Sequence, residues 1–200
     1  MVIGKSNEVG YEMKPIRRRG AFLDRDGVLN HDHGYIYEWK DFDVIDGVYD
    51  GLRALQDLRY DLIVITNQSG IARGLFTEVD FNILTKKMTD HFRKYQIYFS
   101  GVYHCPHYEQ GVVNRYSISC KCRKPRPKMI MDAAVDLNID LQESILIGDK
   151  ASDIQAGINA GIRDLFYVGE QQLIGCQTVN SLVECAKILT TKNANGKRIN

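Results

Sequence analysis

The chain has 200 residues, 44% hydrophobic and 26% charged, with 26 Lys+Arg against 25 Asp+Glu and a formal net charge of +1. That composition fits one globular domain whose core needs no staples, and it excludes a highly charged disordered chain. The near-neutral balance provides no electrostatic footprint for nucleic acid or for an anionic membrane.

Met1 to Arg19 mixes charged residues, glycine and polar residues without the apolar stretch of a signal peptide. The expectation is a loosely attached leader on a cytoplasmic protein, with Arg17-Arg18-Arg19 a solvated run before a strand. Ala21-Phe22-Leu23 is a short apolar strand that stops at Asp24. Val48, Leu52, Leu55 and Leu58 recur at helical spacing and predict an amphipathic helix over Gly47 to Arg59. Leu62-Ile63-Val64-Ile65 is a buried strand, far too short to cross a membrane. Thr77 caps a helix that carries Val79, Ile83, Leu84 and Met88. Gly101-Val102-Tyr103 is a further strand, and Met129 to Leu137 a helix. Ser144 to Ile147 is a strand ending at Gly148-Asp149. Ile154 to Ala160 is a short helix closed by Gly161. Leu165 to Val168 is the last strand, Ser181 to Leu189 the closing helix, and 191–200 a polar tail. Apolar strands alternating with amphipathic helices predict an α/β fold over 20–190, a central parallel sheet with helices on both faces. Ligands of such sheets bind at the carboxyl ends of strands, which puts Asp24, Thr66 and Asp149 on one rim.

Asp24 and Asp26 follow an apolar strand and precede Gly27, which permits a tight turn. Two neighbouring carboxylates repel unless a cation or a shared proton relieves them. Mg²⁺ is the natural partner for oxygen ligands and phosphates, and a carboxylate can also act as a nucleophile. The plainer reading of this stretch is a solvated turn. Asp149 adds a third carboxylate at another strand end, where a helix cap is the plainer reading.

Cys105-Pro106-His107 and Cys120-Lys121-Cys122 place three thiols and one imidazole in a single loop. Three Cys and one His make a closed tetrahedral zinc set, so this Zn²⁺ is expected to be structural, stapling a loop with little core of its own. The alternative is scattered core cysteines. His104 has the wrong parity for the set, and Cys176 and Cys185 read as buried hydrophobes.

Asp24-Arg25-Asp26-Gly27, Thr66-Asn67, Lys124-Pro125 and Gly148-Asp149, in that order, resemble the four motifs of the haloacid dehalogenase-like (HAD) phosphohydrolases. The resemblance runs from Ala21 to about Leu189 and implies a Rossmann-like fold without a large cap domain. It implies Asp24 as nucleophile, Asp26 as general acid/base, and Thr66 and Lys124 as holders of the transferring phosphoryl group. It further implies Mg²⁺ on Asp24, Asp26 and Asp149, with Asp153 as a secondary metal-shell or structural residue. Positioning and positive charge are what phosphoryl transfer needs.

The zinc loop before Arg123-Lys124-Pro125 is similar to that of the D,D-heptose 1,7-bisphosphate phosphatases and the related histidinol-phosphate phosphatases. Asp32-His33-Gly34-Tyr35 and the run Thr66 to Gly74 resemble the heptose enzymes closely, while Val28-Leu29 departs from their usual pattern. The resemblance implies substrate contacts from Asp32, His33, Gly34, Tyr35, Thr66, Asn67, Gln68, Ser69, Lys124 and Lys150. Arg123 is suited to clamp a remote phosphate, since a guanidinium binds phosphate bidentately. Arg73 is set aside, and Trp39 and Tyr37 are assigned to packing.

The implied activity is Mg²⁺-dependent removal of the 7-phosphate of D-glycero-D-manno-heptose 1,7-bisphosphate, giving a 1-phosphate for nucleotide-heptose and lipopolysaccharide core synthesis. The match around Asp32–Tyr35 leans to the β anomer but leaves the choice open. The alternative is histidinol-phosphate phosphatase, which needs no second phosphate clamp. A zinc-knuckle module for nucleic acid is a third reading, and the charge balance argues against it. The expected partner is a small sugar bisphosphate, with no nucleic acid, no membrane and a monomeric chain.

Overall fold

A computed structural model describes residues 18–194. The apolar runs pair as β1 (Arg19–Leu23), β2 (Tyr60–Asn67), β3 (Phe99–Cys105), β4 (Ile145–Gly148), β5 (Asp164–Val168) and β6 (Gln177–Val179). They form one sheet in the order β3-β2-β1-β4-β5-β6, and every pairing is parallel. Parallel neighbours need crossovers, and helices α1 (Val48–Asp57), α2 (Glu78–Arg93), α3 (Lys128–Asp136), α4 (Ala151–Ala160) and α5 (Leu182–Ala194) stand between or after the strands.

The strand period of two divides the core between the two faces. Leu23, Val64, Ile147 and Phe166 point to one face, where Leu52 and Leu55 of α1, Leu84, Met88 and Phe92 of α2, and Leu182 and Cys185 of α5 cover them. Phe22, Ile63, Ile65 and Leu146 point to the other, beneath Met129, Ile130 and Ala133 of α3 and Ile154 and Ala156 of α4. The segments 24–47 and 106–127 hold loops, single 3₁₀ turns and isolated bridges, so no large cap covers the carboxyl rim among the described residues. No helix of the described residues is long and apolar enough to cross a membrane.

Several boundaries differ from expectation. β1 begins at Arg19, the last residue of the expected leader, and Arg18 forms an isolated bridge to Ile139. The rest of that leader, 1–17, lies outside the described residues. α5 continues to Ala194, past the expected start of the tail; 195–200 lie outside the described residues. β6 was not expected, because Gln177-Thr178-Val179 is short and mostly polar. Thr77 caps α2 as expected, and Asp80 completes a capping box that was not expected: the Thr77 hydroxyl and the Asp80 carboxylate each accept the other's backbone N–H. The face of that helix was misassigned. Val79 is 65% and Ile83 50% exposed, while Phe81, Leu84, Met88 and Phe92 are buried. Spacings of three and four residues run 81-84-88-92, so the aromatic pair decides which stripe turns inward. Cys185 is buried as expected, but Cys176 is only half-buried.

The long loop after β3 has more core than expected. Tyr116, Tyr108 and Val113 pack on Ile71, Ala72, Phe76 and Phe81 in a small cluster of their own.

The adjacent pair Ile83 and Leu84 tests the corrected helix face. In urea unfolding, Leu84→Ala is expected to lower stability by about 2–5 kcal/mol, and Ile83→Ala by less than about 0.5 kcal/mol.

Candidate active site

Asp24 is the first residue beyond β1. Its N–H donates to the Ile147 carbonyl (3.0 Å), which extends the β1–β4 pairing by one residue and seats the side chain at the rim. The Asp24 carboxylate accepts from the Arg25 N–H (2.8 Å) and forms an ion pair with Lys124 Nζ (2.9 Å). Lys124, only 4% exposed, also pairs with Asp153 (2.8 Å) and donates to the Ile65 carbonyl (2.8 Å). Asn67 grips the lysine's backbone from both sides: its Nδ2 donates to the Lys124 carbonyl (3.2 Å) and its Oδ1 accepts from the Lys124 N–H (3.0 Å).

Burial raises the Asp24 carboxyl from 3.8 to about 7; Lys124 opposes the rise, while Asp153, Asp26 and Asp149 add to it. Burial likewise lifts Asp149 to about 6, with Lys150 opposing and Asp153 reinforcing. Burial works against the Lys124 ammonium, yet Asp24 and Asp153 outweigh it and raise its pKa, so the lysine stays charged.

Two glycines make room for this crowding. Gly27 has φ +93°, and a Cβ there would lie 2.2 Å from Asp149 Oδ2. A Cβ on Gly148 would lie 2.3 Å from the Cβ of Asp153. Carboxylate oxygens of Asp24, Asp149 and Asp153 fall within 4.8 Å of one another. Asp149 Oδ1 is buried without a hydrogen-bond partner. Converging oxygens, raised carboxyl pKa values and an orphaned acceptor fit a hard divalent cation such as Mg²⁺.

Asp26, expected as the third carboxylate of that set, is not in it. Its carboxylate is instead held by Arg25 (Nε 3.1 Å, Nη2 2.9 Å), Asn30 Nδ2 (3.0 Å) and Gln68 Nε2 (3.0 Å). Asp153 takes the place in the cluster. The sequence reading passed over Arg25 and Asn30 as site residues, although both are buried against Asp26. A signal was present: an arginine between two aspartates after an apolar strand has to find an internal partner. Gln68, expected at the substrate, instead spends its amide on Asp26 and on Thr66 Oγ1 (2.8 Å).

These groups face a cavity of ≈ 480 Å³. Asp24, Asp26, Asp32, Gly34, Tyr35, Thr66, Asn67, Gln68, Ser69, Arg123, Lys124 and Lys150 all line it. His33 does not. Its neighbours Asp32 and Gly34 take the inward positions, and its ring turns outward to Asp43 (3.8 Å) with 61% of the side chain exposed. Asp32 is fixed by Lys150 Nζ (2.9 Å) and the Gly34 N–H (3.0 Å).

The zinc candidates meet as read. Cys105 Sγ lies 3.0 Å from Cys122 Sγ and 3.5 Å from Cys120 Sγ, and His107 Nδ1 lies 3.2 Å from Cys122 Sγ. A tetrahedral zinc with sulfur at about 2.3 Å would sit among such atoms with little adjustment. Burial pushes the Cys105 thiol well up, a penalty that a bound cation relieves. His104 stays outside, its ring tilted against Phe81 (centroids 4.1 Å apart) and paired with Glu78 (3.2 Å).

A family model described as HAD-hydrolase-like matches residues 121–170. The D-glycero-beta-D-manno-heptose-1,7-bisphosphate 7-phosphatase of Vibrio cholerae is 47% identical over 142 residues, 71% of this chain and 76% of that protein. The protein of the same name in Yersinia pestis is 41% identical over 178 residues, 86% of this chain and 95% of that one. The crystal structure of D,D-heptose 1,7-bisphosphate phosphatase from B. bronchiseptica, complexed with magnesium and phosphate, is similar with a TM-score of 0.76 at 26% identity; it covers 87% of this chain and 99% of that one.

The raised carboxyls set a pH dependence. Between about pH 4 and 7 the folded metal-free chain holds protons on Asp24 and Asp149 that the unfolded chain has lost, so stability falls as pH rises through that window. Metal-free protein is expected to lose Tm from pH 4.5 to 7.5 through these two groups. Added Mg²⁺ should raise Tm more at pH 7.5 than at pH 5, and Asp24→Asn should shrink that difference.

Proposed function

The chain belongs to the D-glycero-beta-D-manno-heptose-1,7-bisphosphate 7-phosphatase family of HAD-like phosphoric monoester hydrolases, and on that premise we propose that it removes the 7-phosphate of D-glycero-D-manno-heptose 1,7-bisphosphate. The observation that carries the reading is the pairing of Asp24 with buried Lys124 at the floor of a cavity also lined by Arg123 and Lys150. Adjacent residues 123 and 124 give one cation to each of two anionic groups. A single-phosphate substrate such as histidinol phosphate would leave Arg123 without an anionic partner.

In this mechanism an Asp24 oxygen attacks phosphorus, the bond from phosphorus to the sugar oxygen breaks, and Asp26 delivers its proton to that oxygen. Lys124, Thr66 and Ser69 hold the phosphoryl oxygens in line and balance the charge that spreads over them. Asp26, now a carboxylate, takes a proton from water as the water oxygen attacks phosphorus. The Asp24–phosphorus bond breaks, and inorganic phosphate leaves. Arg25, Asn30 and Gln68 hold Asp26 in place for both transfers. Mg²⁺ on Asp24, Asp149 and Asp153 would supply positive charge to the nucleophile and the phosphoryl group. Zn²⁺ on Cys105, His107, Cys120 and Cys122 is structural in this reading, because protein fills all four positions. The product is a heptose 1-phosphate for nucleotide-heptose and lipopolysaccharide core synthesis, made by a cytoplasmic monomer.

Phosphate release with Mg²⁺ decides the substrate when both heptose 1,7-bisphosphate anomers and histidinol phosphate are offered side by side. A strong bisphosphate preference is expected, lost in Asp24→Asn and reduced about 10²–10⁴-fold in kcat by Asp26→Asn. A preference for histidinol phosphate would overturn the reading. Elemental analysis is expected to find zinc in the purified protein. Cys122→Ser should lose that zinc and lower Tm while the Mg²⁺-dependent thermal shift persists.

A further inference from the structure

Four side chains from three loops stack in a row beside the cavity. The Arg73 guanidinium lies 5.9 Å from the centre of the Tyr35 ring and 4.0 Å from that of Tyr108, and the Arg123 guanidinium lies 5.4 Å from the same Tyr108 ring. The two ends of the row, Tyr35 and Arg123, line the cavity; the two middle members do not.

Each end depends on the middle. Tyr35 sits at φ +51°, a left-handed conformation that a tyrosine keeps only where its surroundings hold it. The Arg123 side chain makes one long hydrogen bond to protein, from Nη1 to the His107 carbonyl (3.4 Å), and otherwise rests on Tyr108. The middle is firmly seated. The Ala72 carbonyl, next to Arg73, accepts from the N–H groups of Val112 (2.8 Å) and Val113 (2.9 Å), which docks the zinc loop onto the loop after β2. A Cβ on Gly111 would lie 2.5 Å from that carbonyl oxygen, so the close approach requires glycine. Arg73 Nε is buried without a hydrogen-bond partner, as expected of a guanidinium held by ring faces rather than by acceptors.

We propose that Arg73 and Tyr108 are positioning residues for specificity: stacked between Tyr35 and Arg123, they fix the wall that receives the anionic group the enzyme does not remove. The inference rests on the bisphosphate reading above. The stack acts on recognition of the retained phosphate and leaves the chemistry at Asp24 alone. Arginine is required in the middle, since a planar guanidinium stacks on two rings and an ammonium does not.

The test compares the heptose 1,7-bisphosphate with p-nitrophenyl phosphate, which has no second phosphate, on zinc-loaded enzyme. Tyr108→Leu and Arg73→Lys are expected to raise KM for the bisphosphate about tenfold, keep kcat within about twofold, and leave kcat/KM for p-nitrophenyl phosphate unchanged. Tyr108→Phe keeps the ring and should match the parent. Zinc content and Tm identify a variant that has merely misfolded, and Arg73→Lys keeps the proposal falsifiable if Tyr108→Leu does so. A bisphosphate KM unchanged in folded variants, or an equal fall for both substrates, overturns the proposal. A parent enzyme with no preference for the bisphosphate overturns the substrate reading and the proposal with it; a parent preference that is undiminished in the variants overturns the proposal alone.

Discussion

Lys124 is almost fully buried, and its ammonium pairs with both Asp24 and Asp153 at the carboxyl rim of the sheet. Burying one ammonium beside several carboxylates is costly unless the geometry is tight. The surrounding sequence secures that geometry. Ile65 offers a carbonyl to the ammonium, Asn67 clamps the lysine's backbone, and Gly27 and Gly148 withdraw the side chains that would push Asp149 and Asp153 away. Burial raises Asp24 and Asp149, and the surplus of carboxylates over the one ammonium adds to the rise. A cluster with that surplus is complementary to a cation and a phosphate arriving together, and strained without them.

The cavity has two kinds of wall. The floor comes from strand ends, where the backbone is fixed by pairing on both sides. The rest comes from loops, fixed by contacts between loops: Lys150 on Asp32, Ala72 on Val112 and Val113, Arg123 on His107 and Tyr108. The Cys105–His107–Cys120–Cys122 cluster ties together the segment that ends in Arg123 and Lys124. Recognition therefore rests on loop packing, while the chemistry rests on the sheet together with Lys124, which reaches in from the zinc loop.

What was legible in the sequence follows the same division. β1 to β5 could be read because their apolar runs are bounded by polar rim residues. Asp24, Thr66 and Asp149 could be placed on one edge because parallel strands share a direction. The Cys/His cluster was legible because each pair is local and its residue types are chemically specific. Side-chain direction beyond the strand ends was not legible. Asp26 and His33 depend on how the chain turns after Leu23, and that turn is set by the internal partners of Arg25, which no period reveals. The face of α2 was misread because Val79 and Ile83 are as apolar as Leu84; only Phe81 and Phe92, placed against the sheet and the zinc loop, break the tie. β6 lacks the apolar pattern altogether and owes its place to pairing with β5.

The strand order has a consequence for how the chain comes into being. β1 is the first strand made, yet one of its edges pairs with β4, and the Gly20 N–H donates to Ser144, 124 residues later. At a synthesis rate of about 5–20 residues per second, that edge waits on the order of 6–25 s for its partner. Through that interval a nascent chain carries an unpaired, almost wholly apolar strand edge, the kind of surface that seeks other chains. Asp24 meets Asp149 only after the wait ends, so a chain that stops short of Asp149 lacks the acidic cluster altogether.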